Sequence, residues 1–342
     1  MNRFKAALVP VVIWVFFALI AQNGLATEPT TRGTLSGGVA HTAPDWFKES
    51  FLEIQADAEE AGDANKHVML FFQLNDCPYC DRMLSESFET DPVSQYIQQH
   101  FDVIAINVKG DREVVFNQDL TVLEKELADI LRVRATPAIL FLNSDNRSVL
   151  RADGYRAPQR FQAILEYVSS KSYLHSSLAD FMEKRLEQNV YQLRDHEIFQ
   201  SITDLSEVEG PLAVIFEDSS CYDCAEFHDN LLANPLVLDE LKAFTVVRLD
   251  AKSTTGIIDI DGNATTATDL ARQYEMTYRP GVLIFDEGLL QRRYDSLLYS
   301  YHFKEGLRYI SGGYYKVEDG RSYSQRRRQE LLASGVDIDL AK

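Results

Sequence analysis

The sequence predicts a layered α/β protein made of two tandem copies of one unit, each built on a mixed central sheet. Three observations predict it. Apolar strand-length runs alternate with helix-length amphipathic segments along most of the 342 residues. All four cysteines fall into two CxxC pairs, Cys77 with Cys80 and Cys221 with Cys224, each just after an apolar run. The landmarks around the first pair return around the second at a spacing of about 143 residues.

Taken in order, Arg3 and Lys5, the apolar run from Ala6 to Ile20 and the small residues Gly24-Leu25-Ala26 read as a signal peptide over residues 1–26. An uncleaved membrane anchor is the alternative. The first copy, residues 43–171, has a strand at His67–Gln73, a helix from Cys77 to Ser87 with Pro78 tolerated in its first turn, and a strand at Phe101–Val108. A helix over Leu120–Leu131 places Leu123, Leu127 and Ile130 on one face. Strands Ala138–Leu142 and Ser148–Ala152 and a helix over Pro158–Val168 close the unit.

Between the copies, residues 172–195 carry Leu174, Leu178, Phe181, Met182 and Leu186 at helical spacing, which predicts a packed connecting helix. The second copy spans residues 196–320. There "PLAVIFEDSSCYDC" answers "HVMLFFQLNDCPYC", "YRPGVLIFD" answers "RATPAILFL", and "FKEGLRYISG" answers "FQAILEYVSS". Residues 321–342 form a helical tail whose Arg326 to Arg328 read as a solvated face.

The formal charge of −18 argues against a nucleic-acid partner, since such binding rests on Lys and Arg meeting phosphates. Export to an oxidising compartment favours cysteines paired across distant loops, yet both pairs here are vicinal. The chemistry of that spacing is thiol exchange. A cysteine at a helix N-terminus is stabilised as thiolate by free amide groups, which suits Cys77 and Cys221 to attack. A second cysteine one turn later, Cys80 or Cys224, can close a small disulfide ring or resolve a mixed disulfide. About 60 residues on, Thr136-Pro137 and Arg279-Pro280 each precede a strand; a prolyl bond there, if cis, exposes backbone groups to a substrate segment, and a strand-edge turn with trans proline is the alternative.

Each copy therefore resembles a thioredoxin-fold domain, a three-layer α/β/α unit with a mixed sheet. More narrowly, "FDVIAINVKGDREV", "ATPAILFL" and "GYRAPQRFQAILEYV" resemble exported bacterial thioredoxin-related proteins of the sulfur-oxidation type, and "DIDGNATTATDLARQY" and "HFKEGLRYISGGY" resemble the second half of tandem members. The resemblance implies a periplasmic thiol–disulfide oxidoreductase acting on protein disulfides. It makes Cys77 and Cys221 the attacking thiols, Cys80 and Cys224 the resolving ones, and Pro137 and Pro280 the cis prolines flanking the substrate, with Thr136 and Arg279 beside them. A membrane thiol transporter is then the electron source, because no GxGxxG fingerprint for a nicotinamide or flavin appears. No cofactor or metal is expected.

There are departures. Cytosolic thioredoxins keep a buried Asp six residues before the first cysteine, where this chain has Phe71 and Ile215, so an internal carboxylate base is expected in neither copy. Cys-Pro-Tyr-Cys itself resembles glutaredoxins. Asp223 places a negative charge beside the second pair of thiols, with Arg279 near enough to offset it, so the second site is expected to be the weaker nucleophile. A zinc site through all four cysteines is disfavoured by their separation, and His228 beside Cys221 and Cys224 reads as a helix-packing residue rather than a ligand. Asp259–Asn263, "DIDGN", reads as a turn rather than a calcium loop. A non-catalytic binding or chaperone module and a disulfide isomerase are the alternative functions.

Overall fold

The computed structural model describes residues 31–185 and 189–342. The expected signal segment and Leu186 lie outside the described residues.

The first unit contains β1 (Leu35–Ser36) and α1 (Ile54–Asp63), whose Ile54, Ala58 and Ala61 are buried along one face. β2 (His67–Gln73) leads into α2 (Pro78–Met83), which runs on as a π-helical turn at Leu84–Phe88. Then come α3 (Val93–His100), β3 (Phe101–Asn107), the hairpin of β4 (Glu113–Asn117) and β5 (Leu120–Leu123), α4 (Glu124–Ile130), β6 (Ala138–Leu142), β7 (Ser148–Asp153) and α5 (Pro158–Ser169). α6 (Leu178–Arg185) follows in the connection. The second unit has β8 (Leu212–Glu217), α7 (Cys224–Glu226) with a π-helical turn at Phe227–Leu231, α8 (Pro235–Leu241), β9 (Thr245–Asp250), the hairpin of β10 (Gly256–Ile258) and β11 (Ala264–Thr266), α9 (Ala267–Gln273), β12 (Gly281–Asp286), β13 (Leu289–Tyr294) and α10 (Ser300–Ser311). α11 (Gly320–Ala333) and β14 (Ile338–Asp339) form the tail, and β14 pairs in parallel with β1.

The two sheets have the same order, β3-β2-β6-β7 and β9-β8-β12-β13, with β2/β3 and β8/β9 parallel and the other pairs antiparallel. β2 reads as an unbroken apolar run because both of its faces are covered. Met69 and Phe71 point to the layer of α2, α3 and α5, while Val68, Leu70 and Phe72 point to that of α1 and α4. In the second unit Ala213 and Ile215 share a face with Phe227 and Phe303, and Val214 and Phe216 meet Leu270 and Ala271. Each unit is thus three layers deep.

The helix expected over Leu120–Leu131 is in fact β5 followed by α4. β-branched Thr121 and Val122 pair with Val115 and Val114 of β4, and the helix forms only from Glu124. Ile130 is accordingly 52% exposed rather than inward, and Leu174 of the connection is 63% exposed. Where the first unit has α1, the second has a short 3₁₀ turn at Leu205–Glu207. Asp259–Asn263 is the β10–β11 turn, with the Asp259 carboxylate accepting from the amides of Asp261 and Asn263.

The units pack against each other through the cysteine-bearing ends of their sheets. The Arg82 guanidinium, one turn past Cys77, donates to both oxygens of Glu226 at 2.8 and 2.9 Å. A partly exposed pair of that kind is worth ~0–1 kcal/mol. Tyr278 and Leu297 of the second unit are buried in the same cluster as Cys77 and Tyr155 of the first. Full burial of such a side chain is worth ~1.5–3 kcal/mol, so these apolar contacts rather than the ion pair hold the units together. No described helix is long and apolar enough to cross a membrane.

Candidate active site: two disulfide centres

Cys77 follows β2 after the turn Leu74–Asp76 and is the N-cap of α2, with its own amide bonded to the Leu74 carbonyl at 3.1 Å. Its Sγ accepts from the Cys80 amide at 3.1 Å and from the Thr136 hydroxyl at 3.3 Å, and lies 3.4 Å from the Thr136 carbonyl. Pro78 costs the helix nothing here, since the first amides have no partner within the helix. Cys77 and Cys80 are disulfide-bonded with Cα atoms 5.2 Å apart, and Thr136–Pro137 is a cis peptide bond. Cys77, 5% exposed, and Thr136 line a cleft of about 1120 Å³, whereas Cys80 is fully buried and does not line it.

Tyr79, between the two sulfurs in sequence, faces the other unit. Its hydroxyl accepts from the Tyr299 amide at 2.8 Å and meets His302 Nδ1 at 3.1 Å. Burial raises the Tyr79 hydroxyl far above its usual range. Burial, then the nearby Arg328 charge, pushes His302 down to about 4, so this contact is between neutral groups near pH 7.

The second centre has the same disulfide ring, with Cα atoms 5.5 Å apart and Arg279–Pro280 cis, but different surroundings. Its helix begins only at Cys224, with Asp223 as N-cap, so Cys221 does not occupy the helix N-terminus expected for it. Asp223 is buried, and its carboxylate accepts from the Tyr278 hydroxyl at 2.5 Å rather than from the helix amides. Burial raises its carboxyl above the ordinary value. Arg279 does not pair with Asp223. Its Nε donates to Asp218 at 2.8 Å and its Nη1 to the carbonyls of Met276 and Tyr278, leaving the guanidinium turned inward and 9% exposed. Pro280 is buried as well.

Arg160 of α5 completes this cluster from the first unit. Fully buried, it donates to the Thr277 carbonyl at 2.7 Å. Burial and the Arg279 charge bring it down to about 10, so it stays charged at neutral pH. Burial opposes ionisation of Asp218, but Arg279, Arg160 and the Ser220 hydrogen bonds outweigh it and hold the carboxyl below its ordinary value. Cys221 is 1% exposed and Cys224 wholly buried.

A Thioredoxin-like domain family model matches residues 54–169 and again residues 198–311. The chain belongs to the thioredoxin-like domain family. Similar solved structures include a thioredoxin-fold protein from Helicobacter pylori (20% identity over 41% of this chain and 99% of that one, TM-score 0.33). A thioredoxin from Thermus thermophilus (27% identity, 34% and 84%, TM-score 0.28) and a disulphide isomerase from Xylella fastidiosa (21% identity, 39% and 99%, TM-score 0.25) are two others. No curated protein sequence matches significantly. Two thioredoxin-like domains, each with a CxxC pair, support a thiol–disulfide oxidoreductase in general terms.

In this thioredoxin-like chain Phe71 and Ile215 are core residues, as expected. Neither copy has a carboxylate at that position, but the second unit buries one elsewhere on the strand. Glu217, two residues past Ile215 on the same face of β8, is fully buried and lies 2.8 Å from Nε2 of buried His228. Sequence reasoning also missed Asp218, Tyr278 and Arg160. The first two were findable from the repeat, since they replace Leu74 and Ala135 of the first copy, polar groups at two apolar positions. Arg160 carried no signal, because its partners come from the other unit. Among the described residues, no three His, Cys, Asp or Glu side chains are grouped to hold a metal ion.

Proposed function

We propose that the chain is a periplasmic thiol–disulfide oxidoreductase of the sulfur-oxidation type that reduces protein disulfides at the Cys77–Cys80 centre. The observation that carries this reading is the asymmetry of that centre: Cys77 Sγ faces the cleft and is held by an amide and a hydroxyl donor, while Cys80 lies behind it. Both donors favour a thiolate over a thiol once the pair is reduced. The Cys77 thiolate attacks one sulfur of the client disulfide, forming a mixed disulfide and expelling one client thiolate. Cys80, deprotonated, then attacks Cys77 Sγ, forming the ring disulfide and expelling the second client thiolate. Two electrons pass from the dithiol to the client, and each expelled thiolate takes up a proton. The disulfide form of the centre is the product of that cycle, and a membrane thiol transporter on the periplasmic side restores the dithiol.

Insulin-disulfide reduction with dithiothreitol as electron source tests the reading. The chain should accelerate precipitation of the insulin B chain, and Cys80→Ser, reduced beforehand and freed of dithiothreitol, should accumulate a mixed disulfide through Cys77. A non-catalytic binding module leaves the rate at the dithiothreitol background, and that result sinks the proposal. A scrambled-disulfide substrate regaining activity without net reduction would favour isomerase chemistry instead.

A further inference from the structure

The cleft that Cys77 faces is cationic in a strongly acidic protein. The chain has 34 Lys and Arg against 52 Asp and Glu, yet ten Lys or Arg line the cleft against six Asp or Glu. Several of the cations are spent internally, as Arg156 is on Asp295 and Arg272 on Glu183. Four exposed ones have no carboxylate partner among the described residues, Lys109, Arg132, Arg134 and Arg293, against two exposed lining carboxylates without a cationic partner there, Asp76 and Glu275. Arg132 and Arg134 sit in the segment leading to Thr136, whose hydroxyl and carbonyl touch Cys77 Sγ. Arg293 extends the same charge along the far wall, formed by the second unit.

Whole-molecule charge of −18 does not cancel this local field. At physiological salt the screening length is ~8 Å, so an incoming group beside Cys77 senses the cleft lining and little of the acidic surface farther away. The cleft, at about 1120 Å³, is also roomier than the ~300–1,000 Å³ typical of small-molecule sites, and it lies open beside the sulfur.

Resting on the proposed reductase activity, we infer that the disulfide attacked by Cys77 is carried by an acidic polypeptide segment, with Asp or Glu side chains flanking the client cysteines. The exposed guanidinium groups of Arg132 and Arg134 draw those carboxylates to the cleft and hold the client disulfide over Cys77 Sγ. The charge contrast acts on encounter and binding, and leaves the exchange chemistry unaltered.

The test uses the full chain, kept reduced by dithiothreitol, and two fluorogenic peptides with the same disulfide, one flanked by Asp and Glu and the other by Lys. Expected is a kcat/KM at least about tenfold higher for the acidic peptide at low salt, with the gap closing as salt shortens the screening length. The double variant Arg132→Glu, Arg134→Glu should narrow or invert the gap. Equal rates for the two peptides, or faster turnover of the basic one, overturn the inference alone. So does faster turnover of glutathione disulfide than of the acidic peptide. Turnover of none of them overturns the reductase reading and the inference with it.

Discussion

Replacing Cys77 by serine is expected to cut reduction of a protein disulfide by about three orders of magnitude or more, as loss of a covalent nucleophile does, while Cys221→Ser retains most of the activity. The two cysteines are equivalent in the repeat, so the difference comes from structure. Cys77 Sγ has the Cys80 amide and the Thr136 hydroxyl as donors and the cleft in front of it. Cys221 has no helix N-terminus, since α7 starts three residues later, and is 1% exposed, with its amide on the Asp218 carbonyl. Cys77, 5% exposed, lines the cleft, whereas Cys221 does not. Single-turnover rates of each reduced variant with insulin give the comparison. Equal losses in the two variants would contradict the assignment of the working nucleophile.

The second large effect is on stability, and two neighbouring aspartates are expected to respond with opposite signs. Asp218→Asn leaves Arg279 buried without its carboxylate and leaves Arg160 only the more distant influence of Asp223, and breaking a buried ion pair in this way costs about 3–5 kcal/mol. Asp223→Asn keeps an oxygen for the Tyr278 hydroxyl and removes a carboxylate whose charge burial disfavours, so it is neutral or stabilising by up to about 1 kcal/mol. The pH dependence follows the same division. Asp218 titrates lower in the folded chain than in the unfolded one, so its contribution is complete above the unfolded carboxyl value, ~3.9, and is lost as pH falls through the folded value. Asp223 titrates higher when folded, so its contribution is complete below the unfolded value and is lost as pH rises through the folded one. Urea midpoints of the two variants near neutrality and in mild acid, read through a probe in the second unit, test this. Destabilisation by both substitutions would contradict the electrostatic account of the second centre.

Much of the fold was legible because it rests on local pattern. The buried strands β2, β6, β8 and β12 are continuous apolar runs, and the repeat exposed the duplication directly. The segment Leu120–Leu131 reads as one helix because Leu123, Leu127 and Ile130 fit a helical stripe, while the pairing of Thr121 and Val122 with β4 depends on a partner strand outside the window. At the first centre the spacing of Cys77, Cys80 and Thr136-Pro137 led to the geometry found. At the second it led to the disulfide ring and the cis prolyl bond but not to their surroundings. Arg279 looked like a neighbour of the thiols, but buried Asp218 competes for it at 2.8 Å, and Arg160 reaches the cluster from α5 of the other unit. Contacts made by docking two folded units leave no periodic trace in either.

The most direct measurement is the pH titration of each thiolate in the reduced chain, followed by the rate of alkylation at Cys77 and Cys221 with the modified residue identified by mass. The expected result is that Cys77 becomes reactive well below the ordinary thiol value of about 8.5, because its sulfur accepts from Cys80 and Thr136, while Cys221 does not. A Cys77 that titrates like a free cysteine, or no earlier than Cys221, would contradict the account.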